Sequence, residues 1–307
     1  MNPPNSSRFT LYAWVVLGWN VLVILWGAFV RASGSGAGCG SHWPLCNGEV
    51  IPTAPALKTI IEFTHRTTSG LALIGVLVLL LWARRAFPKA GLVRRFAWAS
   101  LVIILLEAAL GAGLVKLGFV EKDSSVGRAI YLCAHLANTQ LLLGALALTA
   151  WFSRPDSAGL RFSFGPAKAA MLLPVAMLVG IGGAIAALGD TLFPATSFAQ
   201  GLADEMSSTA HFLLRLRILH PALALLFAFY ASLIVLQTIK VRRSCESASL
   251  AWTTWGILTV QMITGVLNVW LLAPIWMQII HLFLADAVWI VLVLMLVESA
   301  PRRSHIQ

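Results

Sequence analysis

Four stretches of this chain run without a charged side chain for about the 20 residues a helix needs to cross a bilayer. They are residues 9–30, 129–153, 169–189 and 218–239. A fifth uncharged run, 247–285, is too long for one crossing and breaks at Ala273-Pro274. Two further apolar segments, 58–83 and 96–117, carry one or a few charges. Backbone polar groups in hydrocarbon must be satisfied within the segment itself, which leaves helices as the expected element. Eight are expected, at 11–30, 58–83, 96–117, 129–152, 169–189, 215–239, 250–272 and 276–297. Only 11% of the residues are charged, against about 25% in a soluble domain. The fold class is therefore an all-α integral membrane protein, with lipid as its solvent.

The net charge of +10 does not point to nucleic acid, because the basic residues form short clusters between apolar runs and no continuous basic face. Arg8, the cluster Arg84, Arg85, Lys89, Arg94 and Arg95, then Arg154, Arg161 and Lys168, then Lys240, Arg242 and Arg243, then Arg302 and Arg303 all fall on one side of the eight-span arrangement. The opposite loops carry Glu49, Glu121, Asp123, Asp190, Asp204 and Glu205. The positive-inside rule then makes both termini cytoplasmic. The first apolar run lacks a small-residue cleavage site and reads as a retained span. The absence of an Arg-rich amphipathic leader favours a prokaryotic cytoplasmic membrane.

Landmarks recur at a nearly constant offset. Gly27-Ala28 matches Gly183-Ala184, His65 matches His220, Glu107 and Gly111 match Gln261 and Gly265, and His135-Leu136 matches His281-Leu282. The offset falls from 156 to 146 along this series, because the loop before the last helix is shorter. Two halves of four helices each, starting on the same side, are parallel repeats about an axis along the membrane normal. Residues 1–155 and 156–307 are thus expected to form two four-helix bundles.

The chemistry concentrates in the repeated histidines. His65, His135, His220 and His281 all lie about two turns inside their helices, one pair per half. A single transmembrane histidine is an ordinary helix contact, but four at one depth in related pairs suit axial ligation of haem iron within an apolar bundle. Non-haem iron or copper would need further ligands that only Glu62 offers. Haem propionates would also suit the arginines at the outer helix ends, Arg31, Arg66, Arg128, Arg215 and Arg217, since guanidinium pairs well with carboxylate. Snorkelling to the interface is the alternative, and propionate pairing is favoured at Arg66 and Arg217, which neighbour histidines. Glu62 shares a helix face with His65, and its repeat position holds Arg217. That asymmetry places a reaction site in the first half, with Glu62 able to exchange a proton, and a held cofactor in the second. A structural ion pair between Glu62 and Arg66 is the plainer reading. Glu107 and its counterpart Gln261 look like helix-packing acceptors.

The outer loop after the first helix carries Cys39, His42 and Cys46. A disulfide between the two cysteines fits the oxidising side. A zinc site is the rival, short of a fourth ligand.

Gly27-Ala28-Phe29-Val30-Arg31-Ala32-Ser33-Gly34-Ser35-Gly36, then Cys39, Trp43-Pro44-Leu45-Cys46-Asn47-Gly48, then Ile61-Glu62-Phe63-Thr64-His65-Arg66 resemble the N-terminal signature of the haem A synthase family. The resemblance extends over the whole chain through the eight helices, the duplicated halves, the four histidines and the cysteine pair. It implies oxidation of the C8 methyl of haem O, through successive hydroxylations and loss of water, to the formyl group of haem A used by terminal oxidases. It implies that His65 and His135 flank haem O, and that His220 and His281 ligate a resident haem b that passes electrons, with Arg217 beside it. It implies Glu62 as the essential acid and Cys39–Cys46 as the loop disulfide. The implied partners are haem O, haem A, an electron donor and a haem O synthase, with a homo-oligomer possible. A di-haem electron-transfer cytochrome or a haem-binding oxidase assembly factor is the alternative.

Overall fold

A computed structural model describes residues 6–157, 162–241 and 244–299. Arg161, Arg242, Arg243, Arg302 and Arg303 of the proposed cytoplasmic clusters lie outside the described residues. In chain order the helices are α1 (Ser6–Ala32), α2 (Leu57–Ala86), α3 (Leu92–Lys116), α4 (Val126–Phe152), α5 (Ala167–Ala170), α6 (Leu172–Leu192), α7 (Phe198–Met206), α8 (Phe212–Arg217), α9 (Leu219–Val241), α10 (Cys245–Trp270) and α11 (Ile275–Glu298). A 3₁₀ turn, Pro155–Ser157, follows α4. Among the described residues eight spans result, because α5 runs into α6 and α8 into α9. The protein is a multi-pass membrane protein.

Two expected helices are each broken once, and proline explains both breaks. Pro174 and Pro221 have no N–H to bond the carbonyl four residues back, and their rings crowd it. Those carbonyls belong to Ala170 and Arg217, the last residues of α5 and α8. The α10–α11 connection, Leu271–Pro274, falls where the uncharged run was expected to break. Leu272 and Ala273 there take φ of 60° and 53°. The outer loop expected after the fifth span contains a helix, α7, capped by Ser197, whose hydroxyl accepts from the Gln200 N–H at 3.2 Å. Hydropathy gave no sign of it, since nine residues are too few to stand out as a span.

In the first half α1 packs on α2 and α4, and α3 on α2 and α4; in the second α6 packs on α9 and α11, and α10 on α9 and α11. Between the halves, α1 meets α11, α4 meets α6, and α4 meets α11. The close-packed core lies toward one end. α4 is buried almost continuously from Asn138 to Phe152, and α11 from Leu292 to Glu298. Phe9, Val76, Leu79 and Ala97 join that layer. Nearer the other end, where α2, α4, α8 and α11 begin, a smaller buried cluster of Ala129, Leu188 and Leu213 forms, and Glu62 and Arg128 are buried too. The outward faces carry Leu22, Leu71, Val102, Leu226 and Val266, each more than half exposed, as expected for lipid contact.

Polar contacts fasten the halves together. Trp289 Nε1 donates to the Gln140 carbonyl at 2.6 Å, and Arg154 pairs with Glu246. Arg31, expected to serve either a propionate or the interface, reaches across to the second half. Its guanidinium donates to the Ala187 carbonyl at 2.6 Å, to Thr191 Oγ1 at 2.5 Å and to Gln278 Oε1 at 2.9 Å. It sits on the C-terminal turns of α6, where unpaired carbonyls favour a cation. Hydrogen bonds to a charged group contribute about 1.5–3 kcal/mol each, although such contributions do not simply add. Arg31→Ala is therefore expected to lower the thermal midpoint of the detergent-solubilised protein by several degrees, with the helical content of the folded state unchanged. An unaltered midpoint would show that the halves hold together without this contact.

A candidate haem-binding site in each half

The four histidines begin to converge through glycine. A β-carbon at Gly27 would lie 2.9 Å from the His65 ring, one at Gly183 3.0 Å from the His220 ring, and one at Gly265 3.1 Å from the His281 ring. At Gly111 the nearest atom would be His135 Nε2 at 3.8 Å. Each imidazole thus lies against a glycine of the preceding span, and three of the four glycines have no room for a methyl group. This explains why the glycines recur in register with the histidines.

The imidazoles are oriented from behind. His135 Nδ1 lies 3.0 Å from Glu107 Oε1 on α3. His220 Nδ1 lies 3.1 Å from the Val179 carbonyl on α6. His281 Nδ1 lies 3.2 Å from Thr264 Oγ1, and its Nε2 lies 3.4 Å from Gln261 Nε2, both on α10. At His220 the carbonyl on Nδ1 fixes that nitrogen as the donor and leaves Nε2 with its lone pair free, the arrangement metal-bound histidines use. His65 Nδ1 and His135 Nδ1 are both buried without a hydrogen bond among the described residues, and Glu107 meets His135 by charge and proximity.

The second pair fits an iron between its rings. The His220 and His281 ring centres are 6.3 Å apart, with planes at 84°. Metal–imidazole bonds of about 2 Å on each side would set the ring centres at about this separation. Among the described residues no three His, Cys, Asp or Glu side chains converge on one point. The donor set therefore suits a group that brings its own equatorial ligands, as haem does, and not an ion bound by protein alone.

The first half carries a further construction above its histidine. Cys39 and Cys46 are joined by a disulfide, so the zinc reading of that loop is set aside. Glu62 is buried at 3% exposure. Its Oε2 accepts the Cys39 N–H at 2.8 Å. Its Oε1 accepts Arg66 Nη2 at 2.6 Å and Nε at 3.1 Å. Arg66 Nη1 donates in turn to the carbonyls of His42 at 2.5 Å and Leu45 at 2.6 Å. The structural ion pair therefore exists, and it also ties the disulfide loop to α2. Gly38 lies so near the first turn of α2 that a β-carbon would sit 2.4 Å from the Lys58 carbonyl oxygen.

The arginines are differently placed than propionate pairing alone requires. Arg217 Nε donates to Glu205 at 2.5 Å and Nη1 to Asp190 at 2.7 Å, which ties α7 to the second bundle. Arg128 Nη1 donates to the carbonyls of Glu121 and Asp123, each at 2.7 Å. Arg215 is exposed, and its guanidinium has no hydrogen-bond partner among the described residues. Glu107, expected only as a packing acceptor, has a larger place in the site. It holds His135 and accepts from Asn138 and Thr139. Spacing within α4 could have suggested it, because Asn138 and Thr139 lie three and four residues after His135 and share its face.

Comparison with known proteins gives the family of the chain. A family model described as cytochrome oxidase assembly protein (COX15-CtaA) matches residues 10–293. A protein of Thermus thermophilus named protoheme IX farnesyltransferase is 46% identical over 304 residues, which are 98% of this chain and 50% of the relative. A haem A synthase of Alkalihalophilus pseudofirmus is 40% identical over 112 residues, 36% of this chain and 38% of the relative. One from Halalkalibacterium halodurans is 45% identical over 98 residues, 32% of this chain and 33% of the relative. The chain thus spans about half the length of the Thermus relative. With eight membrane-crossing helices and bacterial relatives, it is a multi-pass protein of the cytoplasmic membrane. Through the family match, which takes in both pairs of histidines, the chain belongs to the cytochrome oxidase assembly protein family.

Proposed function

We propose that this protein is a haem A synthase, which oxidises the C8 methyl of haem O to the formyl group of haem A. The observation that carries the reading is the set of paired imidazoles, each against a glycine and three held from behind. Relatives named haem A synthase support the choice of reaction. The duplication into halves 1–155 and 156–307, with both termini cytoplasmic, belongs to the same proposal. It is supported by the contacts between halves: a two-fold relation exchanges the α1–α11 contact with α4–α6 and maps α4–α11 onto itself.

In this reading His65 and His135 bind haem O, and His220 and His281 bind a resident haem b. Haem iron, when bound, would supply one-electron redox chemistry. Glu62 exchanges a proton beside the substrate, and the disulfide loop that it anchors covers that end of the bundle and limits access of water. Arg217 would offer a propionate a guanidinium already shared by two carboxylates, and the exposed Arg215 two residues earlier is the freer cation. The name protoheme IX farnesyltransferase belongs to a protein about twice as long. We assign farnesyl transfer in that relative to the portion that this chain does not match, and the supply of haem O to a haem O synthase activity. An electron donor completes the set of partners.

The test is to produce the protein in a host that makes haem O but no haem A, and to chromatograph the extracted haems. Haem A is expected only when the protein is present. Bound haem b with no haem A would favour the electron-transfer cytochrome or the assembly factor.

A further inference from the structure

The two halves anchor their fourth-helix histidines with different chemistry. His135 Nδ1 has a carboxylate oxygen, Glu107 Oε1, at 3.0 Å, a close charge contact outside hydrogen-bond angles. Glu107 is itself fixed by donors from Asn138 Nδ2 and Thr139 Oγ1 on the histidine's own helix. In the second half every anchor is neutral. His281 has the Thr264 hydroxyl at 3.2 Å on Nδ1 and the Gln261 amide at 3.4 Å on the other ring nitrogen, Nε2, and His220 has the Val179 carbonyl at 3.1 Å on Nδ1. The difference is concerted. The offset that maps His135 on His281 maps Asn138 and Thr139 on Leu284 and Ala285, and Glu107 corresponds to Gln261. The second half therefore lacks both the carboxylate and the two donors that would hold it.

We infer that Glu107 is a positioning residue that makes His135 a more electron-donating ligand than any of its counterparts, with Asn138 and Thr139 holding the carboxylate in place. This rests on the reading of His135 and His281 as haem ligands. A carboxylate on the rear N–H of an imidazole fixes its tautomer and raises its basicity. A more basic axial ligand stabilises the oxidised iron and lowers the reduction potential. The first half is thereby suited to a group that must be oxidised and the second to one that passes electrons on. The same contact explains how a carboxylate is tolerated inside a span, where it needs partners on both oxygens.

The experiment measures midpoint potentials of both haems in the purified full-length protein loaded with haem O and haem b. Glu107→Gln keeps one oxygen, able to accept from Thr139, turns the oxygen that faces Asn138 into an NH2, and removes the charge. It is expected to raise the potential of the haem in the first half by at least about 59 mV, a tenfold change for a one-electron couple. The second haem should not move. The graft Gln261→Glu with Leu284→Asn and Ala285→Thr is expected to lower the potential of the haem in the second half alone. A purely structural role for Glu107 predicts loss of haem or of stability with no such opposed shifts. Both haems bound and both potentials unmoved in the two variants would overturn the inference and leave the haem-site reading standing. Wild-type protein that binds no haem between His65 and His135 would overturn the haem-site reading, and the inference with it. If Glu107→Gln does not fold, the potential of the grafted second half decides by itself: a fall supports the inference and an unmoved value overturns it.

Discussion

Replacing Glu62 by alanine is expected to abolish haem A formation while leaving the spectrum of the haem in the second half intact. Two physical consequences follow from the substitution. It removes the carboxyl group that could exchange a proton beside the substrate, an effect of about 10²–10⁴ in rate for a positioned acid or base. It also strands the Cys39 N–H and the Arg66 guanidinium, which Glu62 accepts at 2.8 and 2.6 Å. A buried cation left without its partner is strongly destabilising, so Arg66 would release the His42 and Leu45 carbonyls and the disulfide loop would loosen. Glu62→Gln separates these effects. Glutamine can still accept the Cys39 N–H but cannot exchange a proton. Haem A yield should fall about 100-fold or more in Glu62→Gln, with the loop more resistant to added protease than in Glu62→Ala, because one oxygen still accepts. Wild-type yield from Glu62→Gln would reduce Glu62 to a loop anchor. Chromatography of extracted haems and limited proteolysis read the two outcomes separately.

Much of this architecture was legible because a bilayer makes helices long, apolar and nearly obligatory. The eight spans, the turn at Pro274 and the in-register histidines required only hydropathy and spacing. Lateral choices were not legible. Whether Arg31 meets a cofactor or the Ala187 carbonyl depends on how two helices rotate about their axes, and no periodicity in α1 encodes that. The weight of Glu107 is hidden for the same reason: its partner is on the next helix, and sequence distance conceals a 3.0 Å contact. Arg217 has an obvious chain neighbour in His220, while its two carboxylate partners come from the end of α6 and from α7. Glu62 lies between these cases. Proton exchange and an ion pair are rival expectations for it in the sequence; the ion pair is present, and proton exchange is our proposal for the same carboxylate.

His220→Ala is expected to remove the resident haem b while substrate binding in the first half persists. His220 is the most completely prepared of the four ligands. Its ring lies against Gly182 and Gly183, where β-carbons would approach to 3.7 and 3.0 Å. Its Nδ1 is committed to Val179, and its Nε2 is free to bind. Pro221 follows it and separates α8 from α9, so the turn that carries His220 is shaped by the same break. Loss of the group behind a ligand already weakens metal affinity about 10–100-fold, and loss of the ligand itself should exceed that. The absorption spectrum of the purified variant should lack the haem b bands, and free imidazole, small enough to occupy the space left by the ring, should restore them in part. His65→Ala should show the opposite pattern, with haem b retained and haem A absent. If haem b stays bound in His220→Ala and departs in His65→Ala, the assignment of the two halves is reversed, and Glu62 then stands beside the resident cofactor. The asymmetry of Glu62 and Glu107 argues for the original order. Glu62, on the helix of His65, and Glu107, 3.0 Å from His135, both lie in the first half.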